Sequence, residues 1–394
     1  VAPRTFPRTL GALTLAVATS ATSWGRAEDA PAPTEASRPF ELHGYAEAFY
    51  QWNANRPSNG VTHARGFDNR HNTFTIANVV VDATWDVRNV VGELALQIGH
   101  TPSTYYLAEP ALRGASMANA SSSELWKYVQ QAYAGYRFPV LDGLTVTAGV
   151  FLSPIGPETI AVRDNWNWSR SNLFFGLPFY HTGLRASLAV DERHTVTLGV
   201  VNGWNSVVDG NEGKSVFAQW AYRRAPIALS VLYFVGSERK RGAPEGQPLR
   251  HLLDAHVTWT AARWLSVLAH LDGGLERHAF GTSRWAAGAL YAKVRLAQPL
   301  HLILRGDALY EGEGSEANGR AESMFFGVPW VSSRTATLDY QPDPRVSFRL
   351  EARHDDAAAP LYFGSDPSSE AADAPLTPTR ATQSTLTLGV TGGF

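Results

Sequence analysis

Residues 380–394, RATQSTLTLGVTGGF, end the chain on a strict alternation. Leu386, Leu388, Val390, Gly392 and Phe394 share one parity, and Thr385, Thr387, Gly389 and Thr391 the other. Side chains alternate faces along a strand, so one face is apolar and the other small and polar. A chain closing on such a strand, with a terminal aromatic, fits the last strand of a membrane β-barrel. The edge strand of a soluble sheet would read the same way, so the rest of the chain must decide.

Segments of the same kind recur from end to end. Within 73–87, Val79, Val81, Ala83 and Trp85 oppose Asn78, Asp82 and Thr84. Within 194–203, Val196, Leu198 and Val200 oppose Thr195, Thr197 and Gly199. The pattern predicts about sixteen strands, each of the length that crosses a bilayer when tilted. No window offers the run of about eighteen apolar residues that a spanning helix needs.

Connection lengths carry more weight. Arg88-Asn89, Pro139–Asp142, Glu192-Arg193, Arg224-Ala225, Ala262-Arg263, Ala297-Gln298 and Pro342–Pro344 read as tight turns. Between them lie longer polar loops: Asn53–His71, Pro102–Glu124, Pro154–Phe179, Trp204–Gly213, Ser237–Arg250, Leu275–Ser283, Gly312–Val331 and Asp356–Thr379. This short–long alternation predicts an all-β, transmembrane, antiparallel up-and-down β-barrel with short periplasmic turns and long extracellular loops. Aromatics near strand ends, among them Trp52, Trp85, Trp126, Tyr136, Tyr180, Trp259, Trp264, Trp285, Tyr310 and Tyr340, fit girdles at the two interfaces. The rival is a soluble propeller of four-stranded blades, but no blade-length repeat is present.

The start of the chain reads as an export signal over residues 1–27. Arg4 and Arg8 precede the small apolar stretch Leu10–Ala21, and Gly25 and Ala27 mark a cleavage site. Residues 28–39 read as a flexible tether, leaving 40–394 as the barrel. Zero cysteine excludes disulfides and thiolate chemistry, and a net charge of −2 gives no case for nucleic acid.

Charges on the polar parity must face the lumen, because a charge near the bilayer midplane costs roughly 2–4 kcal/mol on the lipid side. A barrel this wide leaves an aqueous channel for them. Arg185, Lys293, Arg295, His301, Arg305, Asp307, Arg349, Glu351 and Arg353 are the expected pore-lining set. Two readings of the basic cluster stand side by side: a transverse field that orients polar solutes, and paired ladders that brace the wall. Residues 154–179, PIGPETIAVRDNWNWSRSNLFFGLPF, are too apolar to stand out in water. Folded into the barrel mouth, this loop would offer Glu158, Arg163, Asp164, Asn167 and Arg170 as a constriction; the other reading is an outer cap or subunit contact.

Gly149-Val150-Phe151, Pro154-Ile155-Gly156 with Glu158, Ser169-Arg170-Ser171 within Asn165–Asn172, and His181-Thr182-Gly183 resemble the OmpL-like barrels of the beta-barrel porin-2 family. Gly44-Tyr45 and Gln131-Ala132-Tyr133 extend the likeness, which is strongest before residue 225. The resemblance implies a porin of the bacterial outer membrane and names no binding residue.

The expected function is therefore a channel for passive diffusion of small hydrophilic solutes. Its expected partners are outer-membrane lipid and those solutes, with a homotrimer by analogy to other wide barrels and no cofactor, metal or nucleic acid. Two alternatives remain. One is an adhesion or assembly barrel acting through its outer loops. The other is a barrel enzyme using Asp254, His256, His270 and Asp272, which lacks an accompanying serine motif.

Overall fold

The computed structural model describes residues 39–112, 119–140, 143–366 and 376–394. The expected export signal, residues 1–27, and nearly all of the tether lie outside the described residues. So do parts of the expected 102–124 and 356–379 loops and of the expected 139–142 turn.

Sixteen antiparallel strands close into one barrel. They are β1 (Phe40–Asn53), β2 (Thr73–Val87), β3 (Val90–Ile98), β4 (Val129–Phe138), β5 (Leu144–Leu152), β6 (Tyr180–Ala189), β7 (His194–Val201) and β8 (Ser215–Arg224). Next come β9 (Ile227–Ser237), β10 (Leu249–Ala262), β11 (Leu265–His278), β12 (Gly281–Ala297) and β13 (Leu300–Gly312). A small hairpin, β14 (Ser315–Glu316) and β15 (Gly319–Arg320), sits in the following loop outside the wall. The wall then ends with β16 (Trp330–Asp343), β17 (Val346–Ala357) and β18 (Thr382–Gly393). Closure is the pairing of β1 with β18, in register from Tyr45↔Gly393 to Asn53↔Thr385. Every interior ladder group then has a neighbour, which a bilayer requires.

The terminal stretch shows why the wall is stable in lipid. Leu386, Leu388 and Val390 point outward and are exposed, whereas Thr385, Thr387 and Thr391 point inward and are buried. Aromatic belts form as expected in part. Tyr136, Trp259, Trp264 and Tyr340 are exposed toward the short-turn end, and Trp52 and Tyr310 toward the other. Three expected belt residues are placed elsewhere. Trp126 sits on a short helix of the β3–β4 connection and donates its indole N–H to the Ser121 hydroxyl at 2.9 Å. Tyr180 is buried with its hydroxyl on Glu109 at 2.6 Å. Trp285 faces inward and donates its indole N–H to Asp272 at 2.9 Å.

The fully described turns at one end span 88–89, 190–193, 225–226, 263–264, 298–299 and 344–345. Arg88 and Asn89 both have positive φ, 52° and 72°, the left-handed pair that a two-residue hairpin uses to match strand twist. At 190–193 the Asp191 carboxylate takes the Arg193 and His194 N–H groups at 2.7 and 2.8 Å. The other end carries connections 54–72, 99–128, 153–179, 202–214, 238–248, 313–329 and 358–381. One expected loop, Leu275–Ser283, is instead mostly strand: β11 and β12 continue to His278 and from Gly281, leaving two residues between them. The cause is the inward side chain of Glu276, which holds Arg239 at 2.6 Å and Arg250 at 2.9 Å and so supports two more rungs of ladder. Among the described residues, no helix is long and apolar enough to cross a membrane.

Candidate functional site: the loop inside the barrel

The connection between β5 and β6 turns inward and runs down the lumen. Gly156 makes that turn, with φ +80° and its N–H on Asp254 of β10 at 3.3 Å. The two legs of the loop are tied together. Glu158 on the descending leg accepts the Ser171 N–H, at 3.0 Å to both oxygens, and the Ser171 hydroxyl at 2.5 Å. Arg170 donates to the carbonyls of Thr159, Ile160 and Trp168. Ser171 also caps the short helix Asn172–Phe175 through the Phe174 N–H.

A loop buried in a barrel faces a physical problem. Its main-chain N–H and C=O groups leave water, and each unpaired one is costly. The wall solves this with charges. Glu351 of β17 accepts the N–H groups of Trp168 and Ser169 at 2.6 and 2.9 Å. Asp307 of β13 accepts that of Asn172 at 2.9 Å, and Glu47 of β1 that of Arg163 at 3.1 Å. Three wall arginines take the carbonyls. Arg349 reaches Val162 and Asn167 at 2.9 and 3.1 Å, Arg305 reaches Ser169 at 2.5 Å, and Arg353 reaches Arg170 at 2.5 Å. The same arginines pair with wall acids: Arg305 with Asp307 at 3.1 Å, Arg349 with Asp339 at 3.4 Å, and Arg353 with Asp355 at 2.6 Å. A buried charge needs both a counter-charge and hydrogen bonds, and here the loop supplies part of the second. The clamp grips backbone, so it holds the loop largely independently of its side chains.

Side-chain contacts fix the register. Asn167 donates to the Thr337 hydroxyl at 2.7 Å. Trp168 lies over Gly389 of β18, where any Cβ would overlap its ring, with Phe49 at a ring distance of 5.9 Å.

The expected site residues divide accordingly. Arg305, Asp307, Arg349, Glu351 and Arg353 face inward but meet the loop rather than water, all at 6% exposure or less. They form the paired ladders of the bracing reading, with the loop as a further partner. Arg170, expected at a constriction, is 1% exposed and braces the loop from within. Glu158 pairs with Arg305 at 3.3 Å. Arg163 and Asp164 are half-buried at the loop tip, 3.9 Å apart, with Arg163 over the Tyr45 ring. They share a cavity with Lys293, Gln341, Arg345 and Arg349 near the short-turn end. Arg185 is half-buried across the lumen, stacked over Phe151 and Tyr133 at 4.6 and 5.1 Å. Lys293, Arg295 and His301 are half-buried toward the turns.

Sequence reasoning missed the apolar side chains on the inner face. Leu232, Phe234, Leu252, Ile303 and Leu309 point inward and are fully buried. Part of the signal was available: β9 is apolar on both parities, the mark of a strand covered on both faces, whereas on β10 and β13 the inward apolar residues stand singly among charges. Neighbouring loops also contribute. Glu311 gathers the N–H groups of Phe325, Phe326 and Gly327 at 2.7–3.1 Å, placing Phe325 against Trp204 and Trp285. Asp254 bridges His256 at 3.3 Å and His270 at 2.5 Å behind the loop.

A family model described as "Putative beta-barrel porin-2, OmpL-like" matches residues 39–394. No curated protein matches the chain. Among solved structures, the anion-selective porin from Comamonas acidovorans aligns with a TM-score of 0.55 at 11% identity, over 90% of this chain and 99% of that one. The outer membrane channel DcaP of Acinetobacter baumannii gives 0.54 at 12% identity, over 90% and 97%. The trimer form of OmpT from Vibrio cholerae gives 0.56 at 10% identity, over 90% and 99%. At these identities the likeness concerns the fold alone.

Proposed function

The chain belongs to the beta-barrel porin-2, OmpL-like family of the bacterial outer membrane, and from that premise we propose that it passes small hydrophilic solutes passively along a route set by the 153–179 loop. It is an outer-membrane porin. The observation that carries the rest is the loop itself, threaded through a closed sixteen-strand barrel and clamped by wall charges.

We place the short turns in the periplasm and the long loops outside, following the length asymmetry of bacterial barrels. Solutes then meet the wall below the loop. There, apart from the Arg137–Asp86 and Arg345–Asp343 pairs, Arg185, Arg223, Lys293 and Arg295 on β6, β8 and β12 stand against Glu41 and Asp82 on β1 and β2, none of them buried. Four cations against two anions favour entry of anionic solutes from this side, with Arg163 and Asp164 at the loop tip as the selecting edge. No step needs a reaction, and we read Asp254, His256, His270 and Asp272 as support behind the loop rather than as catalysts. A homotrimer is the assembly we propose.

Liposome swelling tests this reading. Vesicles carrying the folded protein should swell in small sugars and amino acids, more slowly as solute size rises. They should also favour carboxylates over amines of equal size. Swelling no faster than in protein-free vesicles would overturn it.

A further inference from the structure

Most of the outer face is apolar between its two aromatic belts, as lipid requires, and one part of it is not. On β16 the outward residues are Trp330, Ser332, Arg334, Ala336, Leu338 and Tyr340. Trp330, paired with Tyr310, marks one belt and Tyr340 the other. Arg334 stands between them, four residues from the first and six from the second. Its side chain is 77% exposed on that face, and a charge at such depth is strongly disfavoured against lipid. Its ladder neighbours are Gly306 on β13 and His354 on β17. Gly306 leaves an open notch, with nothing within 4 Å of where a Cβ would stand. His354 lies 3.3 Å from the Asp356 carboxylate through one ring nitrogen and 2.8 Å from the Ser384 hydroxyl through the other. The Arg334 guanidinium comes only to 3.6 Å from Asp356, beyond hydrogen-bond range, and among the described residues it donates no hydrogen bond. A group with five N–H donors is thus turned toward a medium that accepts none of them.

We propose that this outward face, Arg334 with Gly306, Ser332, His354, Asp356 and Ser384, is where a second copy of the chain seats. This rests on the homotrimer put forward above and says which part of the wall builds it. Charge decides between a second copy and lipid. The face carries both signs, so an anionic headgroup that met Arg334 would also meet Asp356. A second copy, turned about a threefold axis beside β16 and β17, brings an acid for each guanidinium and a guanidinium for each acid. Shape agrees with charge. Around Arg334 the outward side chains are small: Gly306, Ser332, Ala336, Ala352 and Ser384. Small residues let two walls approach closely, as they do between membrane helices, and the Gly306 notch leaves room beside the guanidinium for a neighbour's side chain. The contact lies outside the barrel, and the loop inside takes no part in it.

Two measurements on the folded barrel in vesicles test this. Native mass spectrometry of the extracted protein reads chains per particle and any lipid retained, with folding verified by circular dichroism. Wild type should be trimeric, and Arg334→Glu, which sets two acids side by side, should raise the dissociation constant by about tenfold or more. The chain has no cysteine, so Ser332→Cys and a control, Leu198→Cys on the outer face of β7, each carry a single thiol. A bismaleimide should join chains through position 332 and not through position 198, as read on a denaturing gel. A folded Arg334→Glu barrel as trimeric as wild type, or chains joined no better through 332 than through 198, would overturn the assignment of this face and leave the trimer and the porin reading standing. Wild-type monomers that still give current steps would remove the trimer and this inference with it, but not the porin. Monomers holding a phosphate-bearing lipid that Arg334→Glu releases would overturn the inference by giving the face to lipid.

Discussion

Removing one carboxylate should loosen the loop by an amount the structure sets. Glu351 accepts two loop amides, from Trp168 and Ser169, and the Thr337 hydroxyl at 2.7 Å, all away from water. Glu351→Ala orphans both amides. At about 1–3 kcal/mol per buried donor left unpaired, docking weakens by about 2–6 kcal/mol. With tenfold per 1.4 kcal/mol, the undocked fraction rises by roughly 30-fold at the low end and about 10⁴-fold at the high end. Glu351→Gln keeps one acceptor oxygen and should fall between the variant and wild type. Hydrogen exchange reads the effect at the Trp168 and Ser169 amides, and trypsin reads it at Arg163 and Arg170, which the docked loop shields. Wild-type exchange and cleavage in a folded Glu351→Ala barrel would refute the claim that wall carboxylates hold the loop.

Gly389→Ala puts a methyl group into the Trp168 ring, and overpacking of this kind costs roughly 1–3 kcal/mol; tryptic cleavage of the loop should speed up, and an unchanged rate would show that the recess is not used. Glu238, just beyond β9, takes the Trp204 N–H at 2.7 Å and the Ser215 hydroxyl at 2.6 Å, and burial pushes its carboxyl up to about 7 despite Arg250 nearby. The folded state therefore prefers the protonated form. Its contribution is complete below the ordinary carboxylate value of 4.5 and is lost as pH rises through about 7. Exchange at the Trp204 amide should be slower at acidic than at alkaline pH after correction for intrinsic rate, and Glu238→Gln should flatten that difference. Leu290 faces lipid in the middle of β12, so Leu290→Arg should cost about 2–4 kcal/mol in urea titrations of the barrel in vesicles, and a value near zero would place that face away from the bilayer.

The wall was legible because its rules are local. Alternation, tight turns and the closing strand are set by neighbours in sequence, and the barrel follows from them. The 275–283 segment misled because its polarity matches a loop, while its strand form depends on Arg239 and Arg250 meeting Glu276 across the sheet. The loop's apolar composition pointed into the barrel. Its partners could not be read, since Glu351 and Trp168 lie 183 residues apart and meet only through the barrel's register. Parity placed Arg305, Arg349 and Arg353 on the inner face but could not say whether water or backbone would meet them there. The inward Leu232, Phe234 and Leu252 carried the warning that part of that face is dry.

The most direct measurement is the current through wild-type protein, purified and folded, in a planar bilayer under a salt gradient. The account predicts discrete current steps, with a reversal potential on the anion side. A folded barrel that gives no steps, or one that reverses on the cation side, would contradict it.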